Sequence, residues 1–142
     1  MSYDHKATEK VAETLEKNIL VILYRHQGAE KAIKARDIAG QVGLTGRYSD
    51  RPVREAIKRL RRQGHLILSS IKEPYGYFLA ETEEEWREFR DTNLKPRALD
   101  ILETAGAMGR VAAERWSQED YRQLRLDLIG AKAVKNRVVA VG

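Results

Sequence analysis

Arg51, Arg54, Lys58, Arg61 and Arg62 recur at three- and four-residue spacings, with Glu55 among them. On a helix, that spacing gathers side chains along one side. Cationic groups gathered in this way can hold phosphates as donors and counter-charges, and an arginine fork can also pair bidentately with a guanine edge. The same residues could equally form a solvated helix face, since most charged helix faces meet only water. The distribution of charge and the flanking elements have to decide.

The formal net charge of +5 is concentrated. Between Arg47 and His65 there are seven Lys/Arg and two acids, whereas the rest of the 142-residue chain carries 19 of each sign. A balanced protein with one basic segment has the electrostatic footprint of a polyanion binder. Other chemistry finds little support. There is no cysteine, which excludes disulfides, thiolate catalysis and cysteine–zinc sites. His5, His26 and His65 are scattered, His65 follows a helix-ending glycine, and no metal or cofactor is expected. No serine–histidine–acid set or phosphate-cradling glycine loop is apparent, so the chain does not read as an enzyme. No run approaches the ~20 apolar residues of a membrane span. The start, MSYDHKATEK, lacks the apolar core of a signal peptide, and a cytoplasmic protein is the simplest reading.

The elements that must position these cations follow from periodicity. Val11, Leu15, Ile19, Ile22 and Leu23 predict a helix over about 8–27, with Glu13 and Glu16 on its other face and Gly28 as its stop. KAIKA, residues 31–35, reads as a short extended piece, and ARDIAGQVG as a short helix closed by Gly43. Ser49 is placed to cap a helix from Asp50 to Gln63, with Pro52 in its first turn and Gly64 in a left-handed position after its end. Its apolar stripe is Val53, Ala56, Ile57 and Leu60, which turns the basic residues outward or sideways. HLILSSI, KEPYG and YFLA predict a hairpin over 66–80.

After Ala80 the character changes. Thr82 is a candidate cap, followed by Glu83, Glu84 and Glu85 in a first turn where acids suit the helix dipole, and Trp86 and Phe89 supply an inner face. Pro96 restarts the helical pattern, and a helix from about Pro96 to Trp116 carries Ala98, Leu102, Ala105, Met108, Gly109, Ala112 and Trp116 as one stripe. The small residues in it allow a second helix to approach closely, and a homodimerisation helix is expected, the alternative being that the stripe packs back on the chain's own first domain. Ser117 reads as the cap of a further short helix bearing Tyr121, Leu124 and Leu128. The organisation is therefore a domain over 8–80, a helical extension over 81–129 and a tail over 130–142.

The order of helix, short strand, helix, turn, basic helix and hairpin resembles the winged helix-turn-helix family. KAIKARDIAGQVGL, SDRPVREAIKRLRRQGHLI and SSIKEPYGYFLAE carry the resemblance, which covers about 8–80. It implies a mainly α fold with a small β-hairpin, and double-stranded DNA as partner. Small phage and mobile-element proteins are similar, which implies a transcription regulator or replication accessory. Carried over by position, Asp50 to Gln63 is the recognition helix. Arg51, Arg54, Glu55 and Lys58 then lie near base edges, Arg61 and Arg62 alongside, and Lys72 and Tyr75 on the wing. The segment GLTGRYS is longer than the three or four residues usual for the turn of the motif. Arg47, Tyr48 and Ser49 in it are candidate DNA contacts, or the extra length re-aims the basic helix. The competing expectation is a protein-interaction module whose basic helix docks on an acidic surface, such as one of the transcription or replication machinery.

Overall fold

The computed structural model describes residues 5–116 and residue 130. The chain is mainly helical with a small two-stranded antiparallel hairpin. Helices α1 (His5–Leu23), α2 (Ala35–Gln41) and α3 (Asp50–Arg62) precede strands β1 (Ile67–Ser70) and β2 (Gly76–Leu79). Helix α4 (Glu83–Phe89), a π-helical turn (Arg90–Leu94) and helix α5 (Lys95–Arg115) follow. Two compact units divide between Phe89 and Arg90.

In the first unit, α1 and α2 both pack on α3. Ile19 and Leu23 from α1, Ile38 and Ala39 from α2, and Val53, Ala56, Ile57 and Leu60 from α3 are buried together with Ile33 and Ile67. The α3 stripe is buried as its spacing predicts. The α1 stripe is not buried throughout. Val11 is 70% exposed because the first half of α1 has no neighbour among the described core residues. Glu16, expected on the outer face, is buried and paired with α3.

Helix ends α2 and α3 close in the same way. At α3 the Gly64 N–H donates to the Arg61 carbonyl and the His65 N–H to the Leu60 carbonyl, with Gly64 at φ 99°. At α2 Gly43 and Leu44 repeat the pattern on Gly40 and Ala39, with Gly43 at φ 81°. This is the glycine-terminated arrangement that satisfies the last carbonyls. Ser49 precedes α3 as expected but makes no side-chain cap hydrogen bond. Its backbone is already helical (φ −63°, ψ −22°), whereas a capping hydroxyl needs an extended backbone to reach back to the free N–H groups. Tyr48 supplies its carbonyl to the Arg51 N–H instead.

The hairpin pairs Ile67 with Leu79, Leu68 with Phe78, Ser69 with Tyr77 and Ser70 with Gly76. Alternation puts Ile67 and Leu79 toward the helical core, and Leu68 and Phe78 toward Phe89 and Trp86 of α4. The KAIKA segment begins as a tight helical turn (Ala29–Lys31) and then runs extended. Ile33 exchanges two backbone hydrogen bonds with Tyr77, at 2.9 and 2.7 Å.

The first unit thus reaches beyond Ala80, because Phe89 is buried against the hairpin. The Thr82 hydroxyl accepts from the Glu85 N–H at 3.2 Å, and the Glu85 carboxylate accepts from the Thr82 N–H at 3.1 Å, a reciprocal capping box. Glu85 also accepts from the Ala29 N–H at 2.8 Å, so it ties α4 to the turn before α2 as well as serving the helix dipole.

In the second unit, Arg90 and then Lys95 bond the Asp91 carboxyl and hold it down at about 2. Pro96 lies at the start of α5, where its missing N–H costs nothing. The predicted helix bearing Tyr121, Leu124 and Leu128, its cap Ser117 and the tail after Gly130 lie outside the described residues.

Candidate nucleic-acid interface

Helix α3 has four sides, each with a different environment. Val53, Ala56, Ile57 and Leu60 face the core. Opposite them, Arg51, Glu55, Lys58 and Arg62 form an exposed stripe at spacings of four, three and four. Toward α1, Arg59 donates from Nε to Glu16 at 2.5 Å, and Gln63 donates to the other Glu16 oxygen at 3.2 Å. Toward the hairpin lie Asp50, Arg54 and Arg61.

Arg61, expected to point outward or sideways as a DNA contact, lies on the flank of α3 and is bonded within the fold. Its guanidinium donates to the Ile67 carbonyl at 2.7 Å and to Ser69 Oγ at 2.9 Å. It also lies 5.5 Å from the Tyr77 ring centre and 5.1 Å from that of Phe89. The charge that sequence assigns to a DNA face is here a bolt between α3, the hairpin and α4. The cause is the docking of β1 and β2 on this flank, which brings an acceptor and two aromatic faces within reach of a half-buried side chain.

Arg54 donates from Nε to Asp50 Oδ2 at 3.1 Å and from Nη1 to the Tyr77 hydroxyl at 3.4 Å. The hydrogen bond from Arg54 holds the Asp50 carboxyl below its usual range, with Arg36 adding to the effect. The same bond raises the Arg54 guanidinium, so both groups stay charged. Beside them is an open cleft of about 430 Å³ bounded by the start of α2, the start of α3 and the hairpin. Lys34, just before α2, and Arg36, in its first turn, border it on one side, and Ser69, Tyr75 and Tyr77 border it from the hairpin.

The remaining predicted residues are placed as follows. Arg47 and Tyr48 are exposed in the loop before α3, with the Arg47 guanidinium 5.8 Å from the Tyr48 ring centre. Leu44 anchors that loop on the core, so its extra length bulges at Thr45 to Tyr48 and leaves α3 packed on α2. Ser49 is half-buried. Lys72 is exposed in the five-residue hairpin loop, residues 71–75, where Ser70 Oγ bonds its backbone. Tyr75 is exposed at the end of that loop and lines the cleft.

Sequence reading passed over Lys34, Arg36, Ser69 and Tyr77. Lys34 and Arg36 fall outside the basic segment 47–65 and join it only through the fold. Tyr77 had a usable signal, since its two-residue spacing from Tyr75 puts both on one side of an extended chain.

The α5 stripe divides. Gly109 is buried, and Leu102, Ala105 and Ala112 are half-buried, along with buried Gly106. Ala98 is exposed, as are Met108 at 69% and Trp116 at 79%. The seven predicted residues share one side of α5 but are not equally covered. At about 100° per residue the seven fall within roughly a third of the circumference, with Met108 at the edge of that arc, Ala98 in the first turn of α5 and Trp116 just past its end. Among the described residues, no group of three metal-ligating side chains comes together and no helix is long and apolar enough to cross a membrane.

Comparison with family models, with curated proteins and with solved structures finds no match to this chain.

Proposed function

We propose that this chain is a winged helix-turn-helix protein that binds double-stranded DNA, with α3 in the major groove, the hairpin as wing, and α5 joining two copies as a homodimer. The observation that carries the reading is the outer stripe of α3. Arg51, Glu55, Lys58 and Arg62 stand exposed along one line, on a helix whose other three sides are taken up by the rest of the domain. A helix displayed in this way fits the major groove, about 12 Å wide, and presents donors and one acceptor to base edges. Ile33, paired with Tyr77 between α1 and α2, supports the fold reading, because it lies where a third, minimal strand of a winged domain belongs.

Binding to random-sequence duplex DNA, followed by fluorescence anisotropy across a salt series, tests the proposal. Arg62 ends the stripe, and Arg47, Arg54, Lys72, Lys34 and Arg36 are further exposed cations off it. If about five of them meet phosphates, the log–log slope is about −4 to −5. A flat salt response, or no binding at low salt, would favour an acidic protein surface as the partner of α3.

A further inference from the structure

Starting from the DNA-binding reading, we propose that the cleft between α3 and the hairpin seats one phosphodiester of the bound strand, with Arg54 as its clamp and not as a reader of a base.

Position is the first argument. Arg54 is not on the outer stripe. Its guanidinium is held on one side by Asp50, one turn back along α3, and on the other by Tyr77 of β2. Those bonds use two of the five N–H donors of an arginine, and three remain for a ligand in the cleft. Fixing the fork from two elements removes the conformational freedom that a long side chain would otherwise lose on binding.

Chemistry is the second. Three cations, Lys34, Arg36 and Arg54, border the cleft against one carboxylate, Asp50, which Arg54 already neutralises. Ser69 Oγ accepts from Arg61, so its own proton is left to donate. A phosphate offers only acceptor oxygens, whereas a base edge in the major groove presents donors as well as acceptors. A cleft of cations and a hydroxyl with its one acid occupied matches the phosphate.

Duplex geometry is the third. Along a duplex, a sugar–phosphate strand separates each major groove from the neighbouring minor groove. When α3 occupies the major groove, an element that stands beside it across a cleft must lie on the far side of that strand. The strand then passes through the cleft, between the outer stripe of α3 and the hairpin loop carrying Lys72. Base reading falls to Arg51, Glu55 and Lys58.

The test uses the full chain on a duplex selected from a random pool, in native form and with single methylphosphonate substitutions along each strand. Arg54→Ala and Arg36→Ala should each weaken binding to all sequences alike, flatten the log–log salt slope by about 1, and leave the selected base preferences unchanged. One methylphosphonate position should weaken the wild-type protein several-fold and the Arg54→Ala variant no further. Lys58→Ala should alter preference at a base position. Thermal melting of each variant checks the fold, and exposed Arg36 gives the same readout should Arg54→Ala fail to fold. Relaxed base preference in Arg54→Ala, or a methylphosphonate penalty that persists in both arginine variants, would overturn the clamp while leaving DNA binding intact. Absence of duplex binding by the wild-type chain would overturn the DNA reading and the clamp with it.

Discussion

Arg61 and Arg62 are adjacent and chemically identical, yet the fold gives them opposite work. Arg62 faces solvent on the outer stripe, while Arg61 spans Ile67, Ser69, Tyr77 and Phe89. Arg61→Ala should therefore lower stability by about 1–3 kcal/mol, because it removes two charge-assisted hydrogen bonds and a stacked cation. Lysine should not restore the loss, since a point ammonium cannot bond two acceptors and stack on two rings at once. Arg62→Ala should change stability by no more than about 0.5 kcal/mol, as surface substitutions do. Urea unfolding of the three variants checks this, and equal losses for Arg61→Ala and Arg62→Ala would contradict the assignment. The difference was not legible in the sequence. Helical periodicity told which four residues of α3 turn inward. It could not tell which flank would meet the hairpin, because Tyr77 and Phe89 are brought there by the docking of distant segments.

At the scale of elements, local signals served well where a residue type solves a local problem. Gly43 and Gly64 end their helices at positive φ, and Thr82 with Glu85 opens α4 as a capping box. They failed where a neighbouring segment satisfies the same need. The Ser49 hydroxyl is not called on because the chain is already helical at that residue. Gly76 is a case in which the sequence suggested only a turn, and the structure shows a close approach. Its φ is 136°, and a Cβ there would collide with the backbone carbonyl of Ile33. This contact sets how tightly β2 lies on the segment entering α2, and both of these border the cleft beside α3. Gly76→Ala should cost at least about 1–3 kcal/mol, from an unfavourable φ together with the displaced strand. It should also weaken DNA binding out of proportion to Lys72→Ala, which leaves the hairpin in place. Thermal melting and anisotropy on the same samples would separate the two effects, and a fully stable Gly76→Ala protein would show that the backbone approach is not needed.

For the whole molecule, the question is what α5 does. Read as a sequence, its small and large apolar residues merged into one stripe. Burial separates them, because Gly106 and Gly109 are already covered within a single chain, whereas Ile101 is 67% exposed and Met108 69%. The exposed seam has its own order. Leu94, at the end of the π-helical turn, Ile101 and Met108 are exposed and seven residues apart, with exposed Ala98 and half-buried Ala105 between them at alternate four- and three-residue steps. That is the repeat by which two helices pack along their length, and the alanines let the partner come close. An exposed apolar seam of this length is costly for a monomer in water, and in the proposed homodimer a second copy would supply a matching seam of the same period. Pairing would also place two α3 helices on one duplex, so that half-site spacing adds to specificity. Ile101→Glu should then convert a dimer into a folded monomer with weakened DNA binding, while its helix content stays unchanged because the substitution lies on an exposed face. Gly109→Leu should behave differently and disturb the single chain, since that position is already buried within it. Sedimentation equilibrium distinguishes these outcomes. A wild-type protein that remains monomeric at tens of micromolar would remove the dimer and leave one α3 helix per molecule to carry all of the affinity for DNA.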